Sequence, residues 1–194
     1  MKLSLFTLSS VFTAVSSAAV APRAPWTCPD RTTAVDLAHA VNAAGNNFYT
    51  TNTAEFAGGY TQADTNTAQI YPVPASGPNP VNTVTFYRYF STTADDHYYT
   101  TQTGAATITR HGNSYTLDGP QGLTLTKSGI VFCGAVPLYE LFKAPKTGEP
   151  ATAADHLYTT SIGELTSASI KGYKYEGIAA YVLPPQPIVV GAGR

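Results

Sequence analysis

Two pairs of neighbouring residues, each an aspartate followed by a histidine, have the side chains best suited to chemistry. Asp96-His97 and Asp155-His156 each place a carboxylate beside an imidazole. A carboxylate can orient a histidine for proton transfer, and both groups bind metal ions. Neighbouring residues of a strand point to opposite faces, however, so the members of one pair are poorly placed to hold one ion. The pairs therefore favour a turn in which the aspartate caps the backbone and the histidine donates to a carbonyl.

Both pairs belong to a six-residue phrase that occurs three times. Residues 46–51, 96–101 and 155–160 read Asn-Asn-Phe-Tyr-Thr-Thr, Asp-His-Tyr-Tyr-Thr-Thr and Asp-His-Leu-Tyr-Thr-Thr. Tyrosine rings stack on sugars when exposed, and they need a hydroxyl partner when buried. If the phrase contacts a ligand, the expected binding residues are Asn47, Tyr49, Asp96, His97, Tyr99, Asp155, His156 and Tyr158.

The sequence around each phrase predicts short strands. Residues 83–90 alternate between apolar and polar types, and residues 178–182 form an apolar run of buried-strand length. The connectors at 54–56 and 162–169 are compatible with a turn or two of helix. Thr160 or Ser161 would cap the second connector, with Glu164 completing a capping box.

Three such units predict a mainly β domain that closes on itself. Closure removes exposed strand edges and packs the apolar face of each unit against the others. A pseudo-threefold, β-trefoil-like arrangement is the first expectation. A three-bladed, propeller-like disc with short helices is the alternative, favoured if the connectors are helical.

The start of the sequence and its two cysteines predict an exported protein. Residues 1–20 have the charged start, apolar stretch and small-residue end of a signal peptide. An N-terminal extension at 21–34, a single domain at 35–183 and a tail at 184–194 would follow. Cys28 and Cys133 are expected to form one disulfide in an oxidising compartment.

The low charge of the chain and its lack of known motifs limit the classes of partner and cofactor that are expected. The chain has 11 Lys and Arg against 12 Asp and Glu, and only 12% of its residues are charged. A near-neutral chain has no electrostatic attraction for nucleic acid or an anionic membrane, so neither is expected as a partner. Neutral, hydroxyl-rich and aromatic surfaces suit carbohydrate or cell-wall polymers. The sequence has no recognisable nucleophile, phosphate, zinc or calcium motif, so neither catalytic residues nor a metal or other cofactor is predicted.

Glycoside hydrolysis would need two carboxylates facing each other across about 5 to 10 Å. The available candidates do not stand out as a pair: Glu140, Glu176, Asp96 and Asp155. Glu176 is more simply interpreted as a structural residue that pairs with Arg88 or with backbone amides.

The repeats resemble a known family of secreted proteins. Residues 137–142 read Pro-Leu-Tyr-Glu-Leu-Phe, residues 156–160 read His-Leu-Tyr-Thr-Thr, and residues 172–182 read Gly-Tyr-Lys-Tyr-Glu-Gly-Ile-Ala-Ala-Tyr-Val. This succession is similar to a repeat domain of unknown function found in secreted fungal proteins and appended to bacterial cell-wall enzymes. The second unit keeps the first half of the pattern, and the first unit has Asn47 where the family has histidine. The resemblance implies an extracellular binding module and no catalytic residue.

Together these features predict a secreted, non-enzymatic binding module for cell-wall or surface carbohydrate. Two alternatives remain open at this point. One is a hydrolase of cell-wall polysaccharide, and the other is a structural or effector-type secreted protein without a ligand pocket.

Overall fold

The computed structural model describes residues 27–102 and 104–185, except for the side chains of 64–66. Its strands are β1 (Val35–Asn42), β2 (Asn47–Thr50), β3 (Tyr60–Ile70), β4 (Thr83–Ser91), β5 (Asp96–Thr100), β6 (Thr107–Arg110), β7 (Asn113–Leu125), β8 (Val136–Lys143), β9 (Asp155–Thr159) and β10 (Lys174–Val182). The connections include helices α1 (Gly129–Cys133) and α2 (Ile162–Ile170) and 3-10 turns at Arg31–Thr33, Thr53–Gly58 and Ala151–Ala153. The predicted mainly β class is confirmed. The predicted signal peptide at 1–20, residues 21–26 of the extension and residues 186–194 of the tail lie outside the described residues.

Each sequence unit contributes three main antiparallel strands in the same order. The strands of the first unit form a three-stranded sheet, and those of the second and third units join through β7 and β10 into one seven-stranded sheet. The first strand of a unit lies in the middle: β1 between β2 and β3, β4 between β5 and β7, and β8 between β9 and β10. The connectors between the second and third strands differ. The first unit has the 3-10 turn, the second has the extra strand β6 paired with β7, and the third has α2.

Local sequence signals account for the connectors. Asn52 accepts a hydrogen bond from the amide of Ala54 at the start of the 3-10 turn, which ends at Gly59 with a φ of +101°. Ser161 accepts from the amide of Glu164 at the start of α2, as the capping signal predicted.

Three tyrosines, one from each repeated phrase, form the centre of the hydrophobic core. Tyr49, Tyr99 and Tyr158 are each 1% exposed, and their ring centroids lie 5.2 to 5.6 Å apart in edge-to-face contacts. Such contacts align the positive edge of one ring with the negative face of the next. The three tyrosines lie on β2, β5 and β9, which are the short edge strands of the three units. The core therefore brings these three strand edges together.

The tyrosine hydroxyls bind the backbone of a neighbouring unit. The Tyr99 hydroxyl accepts from the amide of Tyr49 at 2.8 Å and donates to its carbonyl at 2.7 Å. The Tyr158 hydroxyl makes the same two contacts with Tyr99, at 2.9 and 3.3 Å. The Tyr49 hydroxyl accepts from the amide of Tyr158 at 2.9 Å, which completes a cycle through the three units. Edge-strand groups that would otherwise be buried without partners are thereby satisfied.

The two threonines of each phrase also have recurring contacts. The first threonine accepts from the amide two residues later, at 2.9 to 3.1 Å in the three copies. The second donates to a carbonyl on the third strand of another unit: Thr51 to Gln121, Thr101 to Ala179 and Thr160 to Thr67. The phrase recurs in the sequence because each copy makes the same kind of contact with a neighbouring unit.

Pairing between the third strands and a disulfide complete the domain. Tyr181 pairs with Leu125, and isolated bridges join Gln69 to Leu183 and Tyr71 to Leu123. Cys28 and Cys133 form the predicted disulfide, which ties the N-terminal extension to the end of α1. Within the described residues no helix has the length and apolar character needed to cross a membrane.

Replacing Tyr99 with phenylalanine tests the tyrosine cycle. Y99F keeps the ring but leaves the amide and the carbonyl of Tyr49 without their partner in the buried core. At about 1 to 3 kcal/mol for each of the two unsatisfied groups, we expect the free energy of unfolding to fall by about 2 to 6 kcal/mol in urea titrations followed by circular dichroism. Y175F is the matched control because Tyr175 is 51% exposed. Equal stability of the two variants would contradict the role assigned to the hydroxyl.

Candidate functional site

The eight residues that the sequence singled out for ligand contact all lie inside the protein. None is more than 7% exposed, and the three tyrosines form the centre of the core. His97 and Asn47 each line an open cleft, whereas Asp96, Asp155 and His156 are fully buried. Their role in ligand contact stays a prediction, and their visible contacts connect the units.

The aspartate of one phrase binds the phrase of the next unit. Asp96 accepts from the amide of His156 at 3.0 Å, from its Nδ1 at 2.6 Å and from the Tyr115 hydroxyl at 2.6 Å. Asp155 accepts from the amide and the side chain of Asn47, at 2.8 and 2.6 Å. The expected local turn is therefore wrong in its partners: the aspartates cap the backbone of another unit, and the imidazole of His156 donates to a carboxylate instead of a carbonyl.

Asp155 is an ionisable group in an unfavourable environment. Burial raises its pKa to about 6, although hydrogen bonds from Tyr173 and Asn47 favour the charged form. Burial and the neighbouring Asp155 carboxylate raise the pKa of the Tyr173 hydroxyl well above its usual value. Asn47 is thus explained by its partner: an amide can donate to Asp155 while its oxygen faces His39 Nε2 at 2.7 Å.

The contact between the first and second units breaks this pattern. Asn46 stands where the other phrases have aspartate, and its side chain donates to the carbonyl of Asp95 at 2.8 Å. His97, the residue expected to receive the missing carboxylate, is left with a buried Nδ1 that has no partner among the described residues. Burial and the charge of Arg88 lower the pKa of His97 to about 4, so its ring is neutral at pH 7.

An open cleft of about 470 Å³ lies beside His97 in the second unit. Apolar and hydroxyl-bearing side chains line it together with one carboxylate: Phe90, Thr92, Thr93, His97, Ser114, Thr116, Leu117 and Asp118. Phe90 packs on His97 with ring centroids 4.7 Å apart. The wall from Ser114 to Asp118 belongs to the part of β7 where the second unit departs from the repeat. Sequence reasoning missed these residues because it searched the repeated phrase, and their only signal was that departure.

Asp118 is held in place by an ion-pair network centred on the buried guanidinium of Arg88. Arg88 donates to both carboxylate oxygens of Glu55, at 2.9 and 3.0 Å, and its Nε binds Asp118 at 2.5 Å. Contact with Arg88 lowers the pKa of Glu55, so that carboxylate stays charged. The predicted pairing of Arg88 with Glu176 is wrong, because Glu176 lies on the third unit and binds Arg110 at 3.0 Å.

A second cleft, of about 350 Å³, lies between the first and third units. It includes Asn47 and Tyr173 and also the cations Lys143 and Lys171. Its positive charge and the helix α2 at its side distinguish it from the cleft beside His97.

The carboxylates considered for hydrolysis do not form an open facing pair. Asp96 and Asp155 are enclosed by the contacts given above. Glu140 and Glu176 each bind the same Nη2 of Arg110 at 3.0 Å, so the guanidinium lies between them. Burial raises the pKa of Glu140.

Comparison with known proteins gives one match. A family model described as a domain of unknown function (DUF5648) matches residues 36–183. No curated protein and no solved structure matches the chain.

The lowered pKa of His97 predicts that the protein loses stability in mild acid. Its folded pKa of about 4 lies below the value of 6.5 for an unperturbed histidine, so the unfolded chain binds more protons between those pH values. The contribution of His97 to stability is intact above pH 6.5 and is lost as the pH falls toward 4, by up to about 3 kcal/mol. Asp155 acts in the opposite direction, since its raised pKa lets the folded protein hold an extra proton between pH 3.8 and about 6.

Comparing the wild type with H97N isolates this contribution. Asparagine is the residue that the first unit carries at the equivalent position, Asn47. Urea unfolding at pH 7, 6, 5 and 4 should show a steeper loss of stability in the wild type than in H97N. Parallel pH profiles for the two proteins would exclude His97 as the source.

Proposed function

Since this chain belongs to the DUF5648 family, a domain of unknown function, we propose a role from its surface chemistry. The protein acts as a secreted, non-enzymatic module that binds neutral carbohydrate of cell walls or cell surfaces. The cleft beside His97 is the binding site.

The composition of that cleft carries the proposal. Sugars present apolar C–H faces and a ring of hydroxyl groups, so a site for them needs an apolar surface and many small hydrogen-bonding groups. Phe90 and Leu117 supply the apolar surface, and Thr92, Thr93, Ser114 and Thr116 supply hydroxyl groups. Asp118 adds a charged acceptor whose position is fixed by Arg88.

Export is part of the same proposal. The apolar, uncharged start of the chain has the pattern of a signal peptide, and the disulfide between Cys28 and Cys133 suits an oxidising compartment. The low charge of the chain agrees with a neutral ligand.

We also infer a three-bladed, propeller-like disc in preference to a β-trefoil-like barrel. Each unit has its first strand between its other two main strands, and each contributes one edge strand to the central tyrosines. Strand pairing between units is confined, in the described residues, to Tyr181 with Leu125 and two isolated bridges.

A bulky side chain in the cleft tests the binding role. Thr116 is exposed on β7 and lines the cleft, so T116W fills the site without removing a structural hydrogen bond given above. We expect the wild type to bind at least one neutral wall oligosaccharide on a glycan array and to be retained by the corresponding insoluble polysaccharide. T116W should bind at least tenfold more weakly in calorimetric titrations. T61W is the matched control, because Thr61 is an exposed threonine on β3 outside the cleft.

Two results would overturn the proposal. One is the absence of any carbohydrate ligand at millimolar concentration. The other is equal binding by T116W and T61W, which would place the ligand elsewhere.

The same polysaccharides separate binding from hydrolysis. Arg110 lies between Glu140 and Glu176 and binds both carboxylates, so we expect no release of reducing sugar ends during overnight incubation. Turnover that is lost in E140Q or E176Q would instead support the hydrolase alternative.

A further inference from the structure

One ring nitrogen of His156 is buried without a partner. His156 has no exposed surface, and its Nδ1 lies 2.6 Å from the Asp96 carboxylate. The other ring nitrogen, Nε2, has no hydrogen-bond partner among the described residues. Leaving a buried polar atom unsatisfied costs about 1 to 3 kcal/mol, so the atom calls for an explanation.

Two further metal-binding side chains lie next to His156. One potential ligand atom from each of His111, His156 and Glu176 lies within 4.8 Å of the other two. His111 Nε2 is 3.0 Å from a Glu176 carboxylate oxygen. These residues come from different elements: the hairpin between β6 and β7, strand β9 and strand β10.

The contact between His156 Nδ1 and the Asp96 carboxylate is one that metal-bound histidines commonly make. A histidine that ligates a metal commonly donates its other ring N–H to a carboxylate, which fixes the tautomer and the ring orientation. Asp96 has this position relative to His156. Phe142 stacks on His111 at 3.7 Å between ring centroids and lies 4.7 Å from His156, so one side of the cluster is apolar.

The cluster around His156 has an excess of negative charge that favours a bound cation. Asp96, Glu140 and Glu176 supply three carboxylates, and Arg110 supplies one guanidinium. With neutral imidazoles the cluster has two negative charges in excess, which a divalent ion would balance. Glu140 can keep Arg110 while Glu176 turns toward the ion, because both carboxylates bind the same nitrogen of Arg110.

We propose that His111, His156 and Glu176 form a binding site for a divalent transition-metal ion of the zinc type. Two imidazoles and one carboxylate match the ligands that zinc accepts, whereas calcium and magnesium prefer oxygen alone. The ion joins the β6–β7 hairpin of the second unit to the third unit, and water takes the fourth position.

To bind zinc, the side chains of His111 and Glu176 must move a short distance toward His156. Tetrahedral ligands at about 2.0 to 2.1 Å from zinc lie about 3.4 Å from one another, which is closer than the present limit of 4.8 Å. His111 and Glu176 are partly exposed and can move inward, while Asp96 holds His156 still.

Calorimetric titration of zinc chloride into chelator-stripped protein without a polyhistidine tag tests the site. We expect one saturable site with micromolar or stronger affinity and a rise in melting temperature that increases with zinc concentration. Calcium chloride and magnesium chloride at the same concentrations should give neither. H111A and E176Q should each weaken zinc binding at least tenfold, while E149Q, which alters an exposed carboxylate on a loop, should bind as the wild type does.

Imidazole nitrogen NMR of the wild-type protein tests the same site independently of the variants. Zinc should shift the ring nitrogens of His111 and His156 and leave those of His39 and His97 unchanged. The absence of saturable zinc binding would overturn the proposal. So would shifts at the other two histidines, or unchanged affinity in H111A and E176Q, because the cluster would then be only an ion pair between units.

Discussion

The hydrogen bonds between tyrosine hydroxyls and edge-strand backbone are the interaction on which the rest of the domain depends. A three-stranded sheet of this size buries too little surface to be stable alone, and its short edge strand exposes unpaired amides and carbonyls. Tyr49, Tyr99 and Tyr158 answer both requirements, since their rings make the shared core and their hydroxyls occupy those edges. Each unit therefore completes its neighbour.

The polar residues of the repeated phrase also connect neighbouring units, at positions around the central tyrosines. The aspartates, His156 and Asn47 bind across units, and the second threonine of each phrase does so on the other side of the tyrosine. Where Asn46 replaces aspartate, one contact of the series is lost and His97 becomes a polar group beside an open cleft. The features with the most chemical interest thus occur where the repeat is imperfect.

The sequence predicted those parts of the fold that depend on a local residue pattern or on the even number of cysteines. The strand at 83–90, the cap at Ser161 and the disulfide follow from alternation, capping chemistry and a count of two cysteines. The partners of Asp96, Asp155 and Glu176 could not be predicted in this way, because each partner lies on another unit and its position depends on how the units pack. The cleft residues from Ser114 to Asp118 had no repeat to reveal them.

The bridge between Gln69 and Leu183 has a consequence for folding during synthesis. It joins the end of the first unit to the end of the third, so the assembly cannot close until almost the whole domain has been translated. A nascent chain that contains only the first two units would expose the edges of β2 and β5, which are a template for aggregation. Such long-range pairing also raises the contact order and slows folding. The domain should therefore depend on chaperones until Leu183 has left the ribosome.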